Sequence, residues 1–112
     1  VKDFQDLIVW QKAHELVLSV YNYSDYFPQK EACGLTSQLR RAASVLPLSI
    51  SGSLREENEG EKARLLNMAR SSAEECRYYL ILAKDLGYGD SRDLMPQLEE
   101  VCKMLEEYSA ED

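Results

Sequence analysis

Residues 65–88 read LLNMARSSAEECRYYLILAKDLGY, and the placement of their apolar side chains decides the fold. Leu66, Ala69, Ala73, Cys76, Leu80 and Ala83 recur at strict intervals of three and four, the spacing that stacks side chains along one face of an α-helix. A second seam runs beside it through Leu65, Met68, Ser72, Glu75, Tyr79, Leu82 and Leu86. A helix with two adjacent seams touches two neighbours, as the helices of a bundle do. The alanines of the first seam allow one neighbour to approach closely. Gly87, just past the last periodic positions, is placed to end the helix.

Three turn-forming stretches divide the rest of the chain into similar segments: YFPQKE around Pro28, LREENEGEK around Asn58 and Gly60, and LGYGDSRD at 86–93. Each is short enough to join antiparallel neighbours. The last segment repeats the helical spacing with Leu94, Leu98, Val101, Leu105 and Tyr108, opened by Ser91 or Asp93 as N-cap, with Pro96 near the first turn, where proline costs least. Its other side, Glu99, Glu100, Glu106 and Glu107, reads as a solvated acidic face. The first segment, roughly 6 to 26, is apolar over a wide arc: Leu7, Ile8, Trp10, Ala13, Val17, Val20 and Tyr21, with Leu16 and Tyr23 outside it. That width exceeds what one core contact needs and points either to a central helix or to a surface that meets another subunit. No alternation of strand type persists. The expectation is an all-α, antiparallel up-down four-helix bundle formed as a single domain over 1–112.

The second segment is unusual. From Ala32 through Arg55 a chain of formal net charge −7 has no Asp or Glu, only Arg40, Arg41 and Arg55. Leu35, Leu39, Ala42, Leu46 and Ile50 set its core seam. Pro47 lacks the N–H that would reach the carbonyl of Ala43, and its ring crowds that turn, so a kink or break is expected there. Ser44, Ser49, Ser51 and Ser53 are placed to return hydrogen bonds to freed carbonyls.

The chemistry-bearing residues are few. Glu75 lies on a seam, where a carboxylate is costly unless paired, and Arg40 and Arg41 are its candidate partners; the alternative is that Glu75 sits at the seam's edge and reaches water. Gln38, Arg40, Arg41, Arg55, Ser72 and Glu75 thus form a candidate interaction surface or buried polar network. His14 is the only histidine and reads as a surface or packing residue. Cys33, Cys76 and Cys102 are widely spaced, unlike a zinc motif, and read as small buried thiols on helices. There is no Gly-rich phosphate loop and no nucleophile elbow, so neither catalysis nor a cofactor or metal is expected. No apolar run approaches the roughly 20 residues that span a bilayer. No charged-then-apolar leader opens the sequence, and the expectation is a cytoplasmic protein.

FQDLIVWQKAHEL at 4–16, FPQKEACGLTSQLRRA at 27–42, the Pro47 helix and the 65–88 stretch together resemble the four-helix-bundle proteins of the 23S rRNA intervening-sequence family. The resemblance covers residues 4 to about 108 and includes Trp10, Pro28, Glu31, Gly34, Gln38, Arg40, Arg41, Pro47, Ser72 and Glu75. Where the family pattern resembles SIPANIAEG, this chain reads VLPLSISGS, with Ser49 for Asn, Gly52 for Glu and Ser53 for Gly. The resemblance implies an up-down bundle, often a ring-like homopentamer, with no settled activity. Similar bundles serve as accessory subunits of reverse transcriptases, where a basic surface contacts nucleic acid. The expected function is that of a non-enzymatic, self-associating interaction or scaffold protein. The alternative is a nucleic-acid-binding accessory protein, a partner of ribosomal RNA or of a reverse transcriptase, that uses Arg40, Arg41 and Arg55. The net charge of −7 disfavours that alternative.

Overall fold

The heptad-like seams become four helices: α1 Ile8–Ser24, α2 Leu35–Arg55, α3 Glu59–Asp85 and α4 Leu94–Ala110. The structure, a computed structural model, describes residues 3–110, and no strand occurs among them. Single 3₁₀ turns at Phe4–Asp6 and Gln29–Glu31 precede α1 and α2. No helix among the described residues is long and apolar enough to cross a membrane.

Local chemistry sets the boundaries of α3, the longest helix at 27 residues. At its start the Asn58 side chain accepts from the backbone N–H of Glu61 at 2.9 Å, with Glu59 and Glu61 placed favourably in the first turn. At its end Gly87 takes a φ of +80°, while its N–H donates to Lys84 O and that of Tyr88 to Ala83 O, both at 2.9 Å. This pair of bonds closes the helix in the manner that a left-handed glycine permits.

Each helix packs on two others in the cyclic order α1, α2, α3, α4 and back to α1, and the α2–α3 contact is the most extensive. The expected seam of α2, the first seam of α3 and the leucines and valine of α4 are buried, whereas the second seam expected on α3 is not: Leu65, Tyr79 and Leu82 are half-buried, and Met68, Glu75 and Leu86 are exposed. In α3 the small side chains Ala69, Ala73, Cys76 and Ala83 are almost wholly covered, so the helix backbones lie close to their neighbours. The molecule measures 43 × 23 × 20 Å, its length close to the roughly 40 Å that 27 residues span at 1.5 Å each.

Three further expectations change. The core seam of α1 is Val9, Ala13, Leu16 and Val20, so Leu16 belongs to the core, whereas Ile8 and Tyr21 face solvent. The wide apolar arc is therefore a core stripe flanked by Leu7, Trp10 and Val17, half-buried against the core, with only Ile8 and Tyr21 left exposed. α2 is helical without interruption through Pro47, so no break occurs there. Its serines do bond backward, but to other carbonyls than the one proline frees: Ser44 Oγ donates to Arg40 O at 2.8 Å, Ser51 to Leu48 O at 3.0 Å and Ser53 to Ile50 O at 2.8 Å. Lastly, Cys33 is exposed in the turn before α2, while Cys76 is buried and Cys102 half-buried.

Candidate functional site

Successive residues of a helix point about 100° apart, so Arg40 and Arg41 cannot face the same way. Arg40 turns toward the end of α1. Its Nε donates to Ser24 Oγ at 2.7 Å, and its Nη2 donates to Asp25 Oδ1 at 2.9 Å and to Tyr21 O at 3.3 Å. The guanidinium carbon lies 4.5 Å from the centroid of the Tyr21 ring, and Ser24 Oγ passes its own proton to Val20 O at 2.8 Å. A cation thus closes the C-terminal end of α1, where carbonyls lack helical donors and the dipole is negative. Arg40 is a clamp between two helices.

Arg41 turns the other way, into a groove of about 580 Å³ between α2 and α3. Gln38, Arg41 and Val45 come from α2; Arg64, Asn67, Met68, Ser71, Ser72 and Glu75 come from α3. Four of the six residues singled out in the sequence meet here: Gln38, Arg41, Ser72 and Glu75. Arg55, the fifth, is exposed at the last turn of α2 and outside the groove, and Arg40 is the sixth.

The charged side chains of the groove differ in how they are satisfied. Arg64 is already answered within α3, its Nε donating to Glu61 Oε1 at 2.9 Å and its Nη1 to Met68 Sδ at 3.2 Å. Arg41 and Glu75 are both exposed, and neither makes an ion pair or a side-chain hydrogen bond among the described residues. The buried Glu75–arginine pair considered from the sequence therefore does not form; the carboxylate lies at the rim, where water solvates it. The Ser72 hydroxyl is likewise open to water. The residue is 7% exposed, yet its hydroxyl has no hydrogen-bond partner in the chain and opens onto the groove.

Sequence reasoning missed Arg64, Asn67 and Ser71 as part of this surface. Their signal was present, because Asn67 and Ser71 stand one turn apart and one turn before Glu75 on the same side of α3. The remaining titratable groups lie elsewhere. His14 stands on α1, stacked on Trp10 with ring centroids 5.2 Å apart. Burial pushes the Cys76 thiol up to about 12, so its thiolate is scarce at neutral pH. Among the described residues no three His, Cys, Asp or Glu side chains gather closely enough to hold a metal ion.

The arrangement of these helices carries the sequence pattern of one family: a match to the 23S rRNA-intervening sequence protein covers residues 5–107. The chain belongs to that family. A comparison with curated proteins gave no match. In this family member the groove residues Gln38, Arg41, Ser72 and Glu75 all fall within the matched span. Of the positions where it departs from the family pattern, Ser49 and Ser53 are buried, and Gly52 lies against Leu65.

Proposed function

We propose that this 23S rRNA-intervening sequence protein is a non-enzymatic scaffold whose copies associate through the outer face of α2. One observation carries the reading. Arg41, Leu48 and Arg55 stand seven residues apart on a single stripe of α2, Leu48 is 69% exposed, and both guanidiniums lack partners among the described residues. A bare leucine between two unanswered cations, on the acid-free stretch of an acidic protein, suits a contact that buries apolar area and supplies carboxylates. The exposed Ile8, Leu18 and Tyr21 of α1 add apolar surface to such an assembly. The ring-like pentamer and the cytoplasmic setting belong to the same reading, on the family resemblance and on the sequence. An antiparallel up-down course and a bend at Pro47 are also part of it; the short connection 56–58 supports the first and the missing N–H of Pro47 the second.

Native mass spectrometry of the whole protein tests the proposal. A multiple of the 12.8 kDa subunit is expected, with Leu48→Glu moving the population toward monomer. An assembly that ignores Leu48→Glu would remove α2 as the contact.

The second reading, nucleic-acid binding by an accessory protein, draws on the same free arginines but now without Arg40, which the α1 clamp occupies. It requires binding that weakens steeply with salt, because phosphate contacts release counterions. Folded Arg41→Ala and Arg55→Ala variants that bind RNA as the parent does would end it.

A further inference from the structure

We infer that the α2–α3 groove receives the exposed face of α4 from a second copy of this chain, so that copies join head-to-tail; the inference rests on the self-association proposed above. The groove asks for a partner carrying both signs of charge. Arg41 offers a place for an anion and Glu75 a place for a cation, and the water-accessible hydroxyl of Ser72 opens onto the same groove. A phosphate backbone answers Arg41 but meets Glu75 with like charge, on a chain whose net charge is −7.

The exposed face of α4 offers the complementary set. Glu99, Lys103 and Glu106 follow one another at four and three residues, a single helical stripe with a cation between two anions. All three are exposed, and neither Lys103 nor Glu106 has a partner among the described residues. Glu99 reaches only Arg77 of its own chain, at 4.0 Å. Seated on the groove, Lys103 of the partner subunit faces Glu75, while one of its flanking glutamates faces Arg41.

The topology makes this an encounter between molecules. α4 packs beside α1 and α3 and its backbone is not adjacent to that of α2, so its exposed stripe cannot fold over onto the α2–α3 groove of the same chain. The two surfaces are different patches of one molecule, and such a contact is heterologous: it closes into a ring or runs on as a filament.

The test is a charge swap followed by sedimentation velocity and native mass spectrometry of the whole protein, with circular dichroism as the folding control. Glu75→Lys and Lys103→Glu each place like charges opposite one another and are expected to weaken assembly by on the order of tenfold or more. The double variant restores the pair in reverse and is expected to recover assembly. If the parent assembles and both single variants assemble equally well, the groove–α4 contact is wrong while self-association stands. If both singles dissociate and the double does not recover, these two residues do not meet. A parent that is monomeric at every concentration overturns self-association and this contact together. Extra mass removed by nuclease, with no assembly left, overturns both in favour of nucleic acid.

Discussion

Arg40 and Arg41 are chemically identical neighbours with separate tasks, and helix geometry alone separates them. Removing the Arg40 side chain leaves Ser24 Oγ, Asp25 and the Tyr21 carbonyl without their shared donor. Arg40→Ala is expected to lower the unfolding free energy by about 1–2 kcal/mol, measured by urea denaturation, since bonds from a charged donor are worth more than neutral ones. Arg41→Ala has no such bonds to lose and is expected to change stability by less than about 0.5 kcal/mol. If the two variants proved equally destabilised, the division of roles would be wrong. The sequence made Gln38, Arg41, Ser72 and Glu75 legible as a set because each sits at a helical position beside the core seam. It could not separate Arg40 from Arg41, because the partners of Arg40 lie on α1, at a distance in sequence that no local pattern encodes. Gly52 offers a second comparison at this scale. A Cβ built there would lie 3.5 Å from Leu65 Cδ1, an ordinary contact, and the backbone is helical. Gly52→Ala is therefore expected to raise stability by about 0.5–1 kcal/mol, the difference in helix propensity, read as a higher urea midpoint.

For whole helices, the pattern that identified α3 also states how tightly it packs. Ala69 and Ala73 are buried to within 1% of completely, so no free volume surrounds them for a larger side chain. Ala69→Leu or Ala73→Leu is expected to cost about 1–3 kcal/mol through displaced neighbours, whereas Ala63→Leu, exposed on the same helix, should cost little. Thermal unfolding of the three variants measures the contrast. Equal effects would mean that the alanines are placed for helix propensity and that close packing is incidental. Seams of α2, α3 and α4 were readable because each helix buries one continuous stripe against a core. α1 was harder, since exposed Ile8, Leu18 and Tyr21 carry the same apolar signal as buried Val9 and Leu16. Hydrophobic periodicity does not distinguish a side chain that meets the core from one left open. The unbroken course of α2 through Pro47 was likewise beyond local reading: proline removes one helical bond, and the packing of α2 on both α1 and α3 holds the helix through the gap.

In the molecule as a whole, two tyrosines join connections that are far apart in sequence. Tyr88 Oη donates to Glu31 Oε2 at 2.7 Å, and Tyr23 Oη donates to the Gly89 carbonyl at 3.0 Å. The α1–α2 connection is thereby tied to the α3–α4 connection, with Phe27 packed between the two tyrosine rings at centroid distances of 5.2 and 5.5 Å. Nothing in a one-dimensional pattern pairs positions 57 residues apart, which is why this tie was invisible in the sequence although both residues were in view. It has a pH signature with a definite sign. The Tyr88 hydroxyl first, and the Leu35 N–H second, hold the Glu31 carboxyl below its ordinary value of 4.5. A depressed carboxyl contributes stability that is fully present above the unfolded value and is lost as pH falls through the folded one. The parent is therefore expected to exceed Glu31→Gln in stability near neutrality, and the difference should shrink as the pH drops below 4.5. Tyr88→Phe removes the donor and should reduce the same acid-sensitive difference, since only the Leu35 N–H would then hold the carboxylate. Urea midpoints collected from neutral to acidic pH for the three proteins decide the matter. A parent-minus-Gln difference that stays constant into acid would show that the charge on Glu31 plays no part in joining the two connections.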